Sequence, residues 1–430
     1  MIQPKSFIYL LSTILFISIS FAQKSNKKSS SVSRSETNLI YDNISYHSSI
    51  KTVMVYPSER ESQFPILSLS KPDVLQIAFD DLRADSRSLY FQVEHCNADW
   101  SPSRLPTMDY LEGYTEDRIS DIKPSENTRI PYTHYRFNFP NANTQLKKAG
   151  NYLLKVYENA NPSALLFTRR FYVVLDLATI EGELIPSLQS NNRLRNQKLN
   201  IAVNTNFEIA NPRMSLQIHA LQNQRTDNFQ ILREPSQISS QKITYYLPQT
   251  LDFEGNNEFR TVDLRSVRNA SARVRELNRD SSLSAILESD RNISKENYIW
   301  KPDENGRFYI RNMDFAEHST QSEYIYTLFS LKDSSNIDRD IYLVGGFNNY
   351  VRSALNKLTY NTEQKTWETA QLLKQGVYDY EYVLESADKT QISKFSGSYF
   401  DTENEYQILL YYRKPGTYWD EIIGFKQITK

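Results

Sequence analysis

Leu89-Tyr90-Phe91-Gln92-Val93-Glu94-His95-Cys96-Asn97-Ala98-Asp99-Trp100-Ser101-Pro102 is the stretch that decides the fold. Its first six residues place Leu89, Phe91 and Val93 on one face and Tyr90, Gln92 and Glu94 on the other, the two-residue period of a half-buried strand. The run breaks at Asn97-Ala98-Asp99. A polar, aromatic excursion follows, through Asp109-Tyr110-Leu111-Glu112-Gly113-Tyr114 and Ser125-Glu126-Asn127-Thr128. A second alternating run, Tyr135-Arg136-Phe137-Asn138-Phe139-Pro140, closes it. Two strands joined by an elaborate aromatic loop read as a β-sandwich that invests its surface in loops rather than in a pocket.

Working outward, Ile50–Tyr56 opens a strand, and Leu75, Ile77 and Phe79 alternate with Gln76, Ala78 and Asp80. Gly150–Tyr157 and Leu166–Val174 supply two more strands, separated by the turn signal Asn159-Ala160-Asn161-Pro162. Strands at this spacing, with no helical periodicity between them, predict an antiparallel sandwich of immunoglobulin-like size over residues 45–176. A middle β-rich domain is expected over 177–332, from Leu199–Val203, Met214–Ile218, Tyr245–Pro248, Glu258–Leu264 and Tyr324–Phe329. A third sandwich is expected over 333–430. It starts with Ile341–Tyr350, which runs into the Gly345-Gly346 turn, and continues through Trp367, Gly376–Leu384 and Glu405–Arg413. The expected class is all-β, a tandem of immunoglobulin-like or early-set β-sandwiches.

The first residues set the compartment. Lys5 precedes an apolar run, Phe7–Phe21, which ends at Ser20-Phe21-Ala22, with small residues where a signal peptidase reads. Residues 1–22 therefore read as a secretory signal peptide, with an uncleaved anchor as the alternative, and 23–44 as a flexible Ser- and Lys-rich leader too polar to order itself. No membrane span is expected once the signal is removed.

Composition narrows the function. The 50 basic and 51 acidic residues nearly cancel, so no field draws the chain to nucleic acid. The single cysteine rules out an intrachain disulfide framework, and stability must come from core burial. With 29 tyrosines, 21 phenylalanines and only 11 glycines, aromatic side chains suit pleated surfaces, and Asn and Asp must carry many turns.

Catalytic constellations are thin. The five histidines show neither His-x-x-x-His nor His-Glu-x-x-His spacing, and no nucleophile elbow, phosphate loop or dinucleotide fingerprint occurs. His95, Cys96 and Asp99 hold ligand or nucleophile chemistry, but neighbours on a strand point to opposite faces. Cys96 reads as a small core hydrophobe, with Asn97 and Asp99 capping the turn before Trp100. The cluster Arg265, Arg268, Arg273, Arg275 and Arg279 reads as a solvated face balanced by Asp263, Glu276, Asp280, Glu288 and Asp290, with a phosphate or acidic-partner contact as the alternative. A few helical turns there are weakened by Asn, Ser and Thr. No enzyme, cofactor or metal site is expected.

Two resemblances add to this. Val344-Gly345-Gly346-Phe347-Asn348, the spaced Trp367 and Gly376-Val377-Tyr378-Asp379-Tyr380-Glu381-Tyr382 resemble glycogen-binding-type early-set modules, which stack sugars on exposed aromatic rings. Tyr350 stands where those modules often place a stacking tryptophan. Phe91–Trp100, Asp109–Tyr114, Tyr132–Asn141 and Gly150–Tyr157 resemble, in order, the type IX secretion system plug proteins of Bacteroidota. That resemblance implies a non-enzymatic periplasmic protein at the inner face of the outer membrane. It would close the periplasmic opening of a large β-barrel translocon when no substrate complex is bound. Trp100, Asp109, Tyr110, Glu112 and Tyr114 are the expected contacts with that barrel, since aromatic rings with polar tips make good interface anchors. The alternative is a periplasmic carbohydrate-binding accessory protein of a glycan-utilisation system, acting through Trp367.

Overall fold

A computed structural model describes residues 38–58, 61–280, 282–333, 339–386 and 392–430. The expected signal peptide and most of the leader lie outside them. The regular structure of the described residues is nearly all strand, with two single-turn α-helices, Thr107–Tyr110 and Pro212–Ser215. Among the described residues no helix is long and apolar enough to cross a membrane.

The first sandwich follows from the alternation around Leu89. One sheet runs Ile50–Pro57, Leu75–Asp81, Thr133–Phe139, Asp121–Pro124. The facing sheet places Leu89–Cys96 beside Gly150–Glu158, which pairs in turn with Leu165–Val174. Phe79, Phe91, Tyr135, Phe139, Val156, Phe167 and Phe171 meet between the two sheets.

This second sheet does not stop at the domain. Val174 pairs in parallel with Ile422, which carries the sheet on into Glu421–Thr429, Glu405–Tyr412, Leu216–Gln222 and Phe229–Leu232. Those four strands face Ala178–Pro186, Asn196–Thr205 and Lys242–Tyr245 across a core that includes Ile201, Val203, Ile218, Tyr245, Tyr406 and Ile408. The second sandwich is thus built from residues 178–254 together with the chain's last two strands.

The third core lies between those two parts in sequence. Gly376–Glu385 is its central strand, bonded to Arg260–Asp263, Phe308–Ile310 and Asp340–Val344. It faces the sheet of Val274–Asn278, Ser284–Leu287, Tyr324–Lys332, Thr366–Lys374 and Thr359–Asn361. Tyr378, Tyr380 and Tyr382 point into that core, where Phe329, Leu331 and Leu343 also sit. The cores therefore do not follow the linear division at 332/333. Arg260–Asp263 and Tyr324–Lys332 belong with the third sandwich, and Glu405–Tyr412 with the second. Each alternating run has one apolar face, and pattern alone does not say which sheet will cover it.

Asparagine does carry turns. Among the described residues, seven of the non-glycine residues with left-handed backbone are asparagines and none is an aspartate. Glycine is kept for close approaches. At Gly113 (φ +96°) a Cβ would lie 2.0 Å from the Asn143 carbonyl oxygen, and at Gly345 it would lie 2.5 Å from that of Asp379. The arginine-rich segment forms the strand Val274–Asn278 and no helix. Its charges disperse: Arg265 pairs with Asp263, Arg273 with Asp290, and the Arg279 guanidinium donates to the carbonyls of Val267 and Arg268.

Candidate interaction surface

The turn after Leu89–Cys96 is tied by Ser101, whose N–H and hydroxyl both donate to Asp99 Oδ1 at 2.9 and 2.6 Å. This holds Trp100 in the left-handed region at φ +67°. Its ring lies under the Arg170 guanidinium at 4.3 Å and edge-on to Tyr172 at 5.4 Å. On the other side, the Ala98 N–H donates to Asp420, which also binds Arg413. The turn is a joint between the first two sandwiches. His95 and Cys96 are both buried, His95 against Tyr110 and Tyr152. Burial pulls the His95 imidazole down to about 4 and pushes the Cys96 thiol up. Among the described residues no group of His, Cys, Asp and Glu is placed to hold a metal.

Beyond the joint, Thr107–Tyr110 forms one helical turn and Leu111–Gly113 pairs with Thr144–Leu146. Tyr110 points inward and is 4% exposed. Asp109, Glu112 and Tyr114 face solvent, Tyr114 at 63% exposure. Of the five expected contacts, these three are open to a partner, Trp100 is half-buried and Tyr110 is a core residue.

A more exposed apolar surface was not anticipated from the sequence. Leu194, Ile299 and Trp300 are 82%, 75% and 55% exposed. They are gathered by backbone and ring contacts between three loops. The Phe400 N–H donates to the Leu194 carbonyl at 2.9 Å, and Tyr298 and Tyr399 have ring centroids 5.6 Å apart. The Tyr399 hydroxyl donates to the Glu296 carbonyl, and Tyr298 donates to Glu258 at 2.5 Å. The apolar run Tyr298-Ile299-Trp300 inside an otherwise Asn-, Ser- and Lys-rich loop is the available signal. It lacks strand or helix periodicity, so a search by period passes over it.

The expected sugar platform is covered. Tyr350 is 8% exposed, its ring stacked by the Arg225 guanidinium at 3.9 Å and its hydroxyl donating to the Gly306 carbonyl at 2.8 Å. Arg225 comes from the second sandwich and pairs with Asp227 and Glu381, both at 2.7 Å. Trp367 is 5% exposed, and its indole N–H donates to the Asp333 carbonyl at 3.0 Å. Neither ring is presented to a sugar.

The first and third sandwiches are joined by a buried ionic network. Asp80 accepts from Lys374 Nζ at 2.6 Å and from the Tyr324 hydroxyl at 2.7 Å, and His134 Nδ1 lies 2.7 Å away. Lys374 also sits 4.2 Å from the Tyr132 ring. Burial by itself would raise the Asp80 carboxyl, but Lys374 and the His134 hydrogen bond outweigh it and hold the group below the usual carboxylate range. The described residues from Asn38 to Lys430 accordingly lie in one compact unit.

The fold defines a class, a non-repetitive stack of three β-sandwiches, the first two of which share one long sheet. Residues 50–175, the whole first sandwich, match the family described as the type 9 secretion system plug protein 1st domain. The first sandwich is thus similar to that plug-protein domain. A crystal structure of a hypothetical protein from Parabacteroides merdae is similar over 91% of this chain and 100% of its own, at 29% identity and a TM-score of 0.87. No curated protein matches the chain.

Proposed function

We propose that this protein is a non-enzymatic plug of the type IX secretion machinery. It would occupy the periplasmic opening of the outer-membrane translocon and leave when a substrate complex arrives. The observation that carries the reading is the plug-protein match over the complete first sandwich. The rest of the architecture suits a stopper, which needs rigid bulk and contact surface but no reaction centre. Rigidity comes from the sheet continued through Val174 and Ile422 and from the Asp80–Lys374 pair. Contact surface comes from the exposed Leu194, Ile299 and Trp300 and from Asp109, Glu112 and Tyr114. A moderate interface of this mixed character would release reversibly.

The test is co-purification in the native host. Protein tagged at the C-terminus should bring down a very large outer-membrane barrel from gently solubilised envelopes. Ile299→Ser with Trp300→Ser should reduce that yield while the protein's melting temperature stays unchanged. A protein that elutes without any barrel overturns the proposal.

A further inference from the structure

The three sandwiches meet around a cavity of about 170 Å³. Val53 and Val55 come from the first, Asn223 and Arg225 from the second, and Phe308 and Tyr350 from the third. Four arginines also line it, and they are not equivalent. Arg170 is paired with Asp42 at 3.1 Å, Arg225 with Asp227 and Glu381 at 2.7 Å, and Arg307 with Glu405 at 2.6 Å. Arg169 has no carboxylate within ion-pair distance among the described residues.

Arg169 sits on Leu165–Val174 at the register position between Phe167 and Phe171, on the face that builds the first core. It is 8% exposed. Its hydrogen bonds are made by Nη1, which donates to the Ile44 carbonyl at 3.2 Å and the Thr168 carbonyl at 2.8 Å. Nε and Nη2 have no acceptor among the described residues. Burial pulls its guanidinium down to about 10. Asp42 attracts it without pairing with it, and the Phe167 ring lies 5.4 Å away, so a buried cation short of a direct counter-ion remains costly to keep, and a methionine would fill the same space without that cost. A guanidinium with a free edge also matches the two oxygens of a carboxylate, and forms with it a planar, bidentate pair.

We propose that this cavity is a binding site for a small carboxylic acid with a short apolar body, its carboxylate on Arg169. Val53, Val55 and Phe308 supply apolar wall for the body. The size suits one ring, since apolar cavities of about 150 Å³ accept benzene. A ligand seated here touches all three sandwiches and would hold them in one arrangement. The inference is independent of the plug reading.

The test uses the mature chain and benzoate as probe, followed by calorimetric titration and by the shift in melting temperature. Saturable binding by benzoate is expected, with toluene and inorganic phosphate each binding at least about tenfold more weakly, since each lacks one half of the recognition. Arg169→Met should stay folded, melt no lower than the unmodified protein without ligand, and bind benzoate at least about tenfold more weakly. No saturable benzoate binding to the unmodified chain overturns the proposal, whatever the variant does. So does equal binding by Arg169→Met, or a variant that melts well below the parent, which would make Arg169 a purely structural group.

Discussion

Replacing Lys374 with methionine removes one charge from the junction of the first and third sandwiches and keeps most of the side-chain volume. Lys374 and Asp80 are 2% and 0% exposed, so neither charge is screened by solvent. Without the ammonium, Asp80 keeps only His134 and Tyr324 as partners. Breaking a buried pair from one side costs about 3–5 kcal/mol, because it strands the other charge. A unit of this length unfolds with an entropy of about 0.8 kcal/mol per kelvin. A single cooperative transition should therefore fall by about 4–6 °C in calorimetry. Asp80→Asn with Lys374→Met removes both charges and should recover most of the loss, since a neutral replacement of a buried pair is often tolerated. The pH dependence has a definite sign. The folded Asp80 carboxyl is held below its unfolded value, so its contribution is complete above about pH 4 and is lost as the pH falls through the folded value. The gap between the parent and the double variant should shrink as the solution is made more acid than about pH 4. A Lys374→Met protein melting within 1 °C of the parent would refute the reasoning, as would a double variant no better than the single.

Other outcomes follow from burial. Trp367→Ala should cost about 3–5 kcal/mol through the cavity it leaves, and titration of the unmodified protein with maltoheptaose should give no binding heat for the substitution to remove. Tyr110→Ala should destabilise by a similar amount, whereas Tyr114→Ala should leave denaturant midpoints within about 0.5 kcal/mol of the parent. Asp379 is fully buried near Asp303, and burial pushes its carboxyl up to about 7. A raised carboxyl contributes stability that is complete below its unfolded value, near 4, and is lost as pH rises through about 7. Urea melts of the parent should therefore contain a loss between pH 5 and 8 that is missing from Asp379→Asn.

The alternation of Leu89, Phe91 and Val93 determined the strand, its buried face and the all-β class, because a two-residue period is local and survives any tertiary arrangement. The same local logic made Cys96 a core residue and predicted that asparagine and aspartate would replace scarce glycine in turns, which for the left-handed positions held for asparagine alone. Motif order over residues 91–157 was enough to point to the plug-protein family. Partners across sheets were another matter. Glu405–Tyr412 alternates as well as any strand, yet only the pairing with Leu216–Gln222 shows that it closes the second sandwich. Tyr110 and Tyr114 look equivalent in the sequence. Tyr110 turns inward onto His95, while Tyr114 lies beyond a short ribbon that leaves it in solvent. Asp379 and Glu381 alternate with three core tyrosines and so read as a solvent face, but other parts of the fold bury both. A strand's own period says which residues share a side. What covers that side, and whether a tyrosine or an arginine there is free, is set by chain segments hundreds of residues away, and only the tertiary structure brings them together.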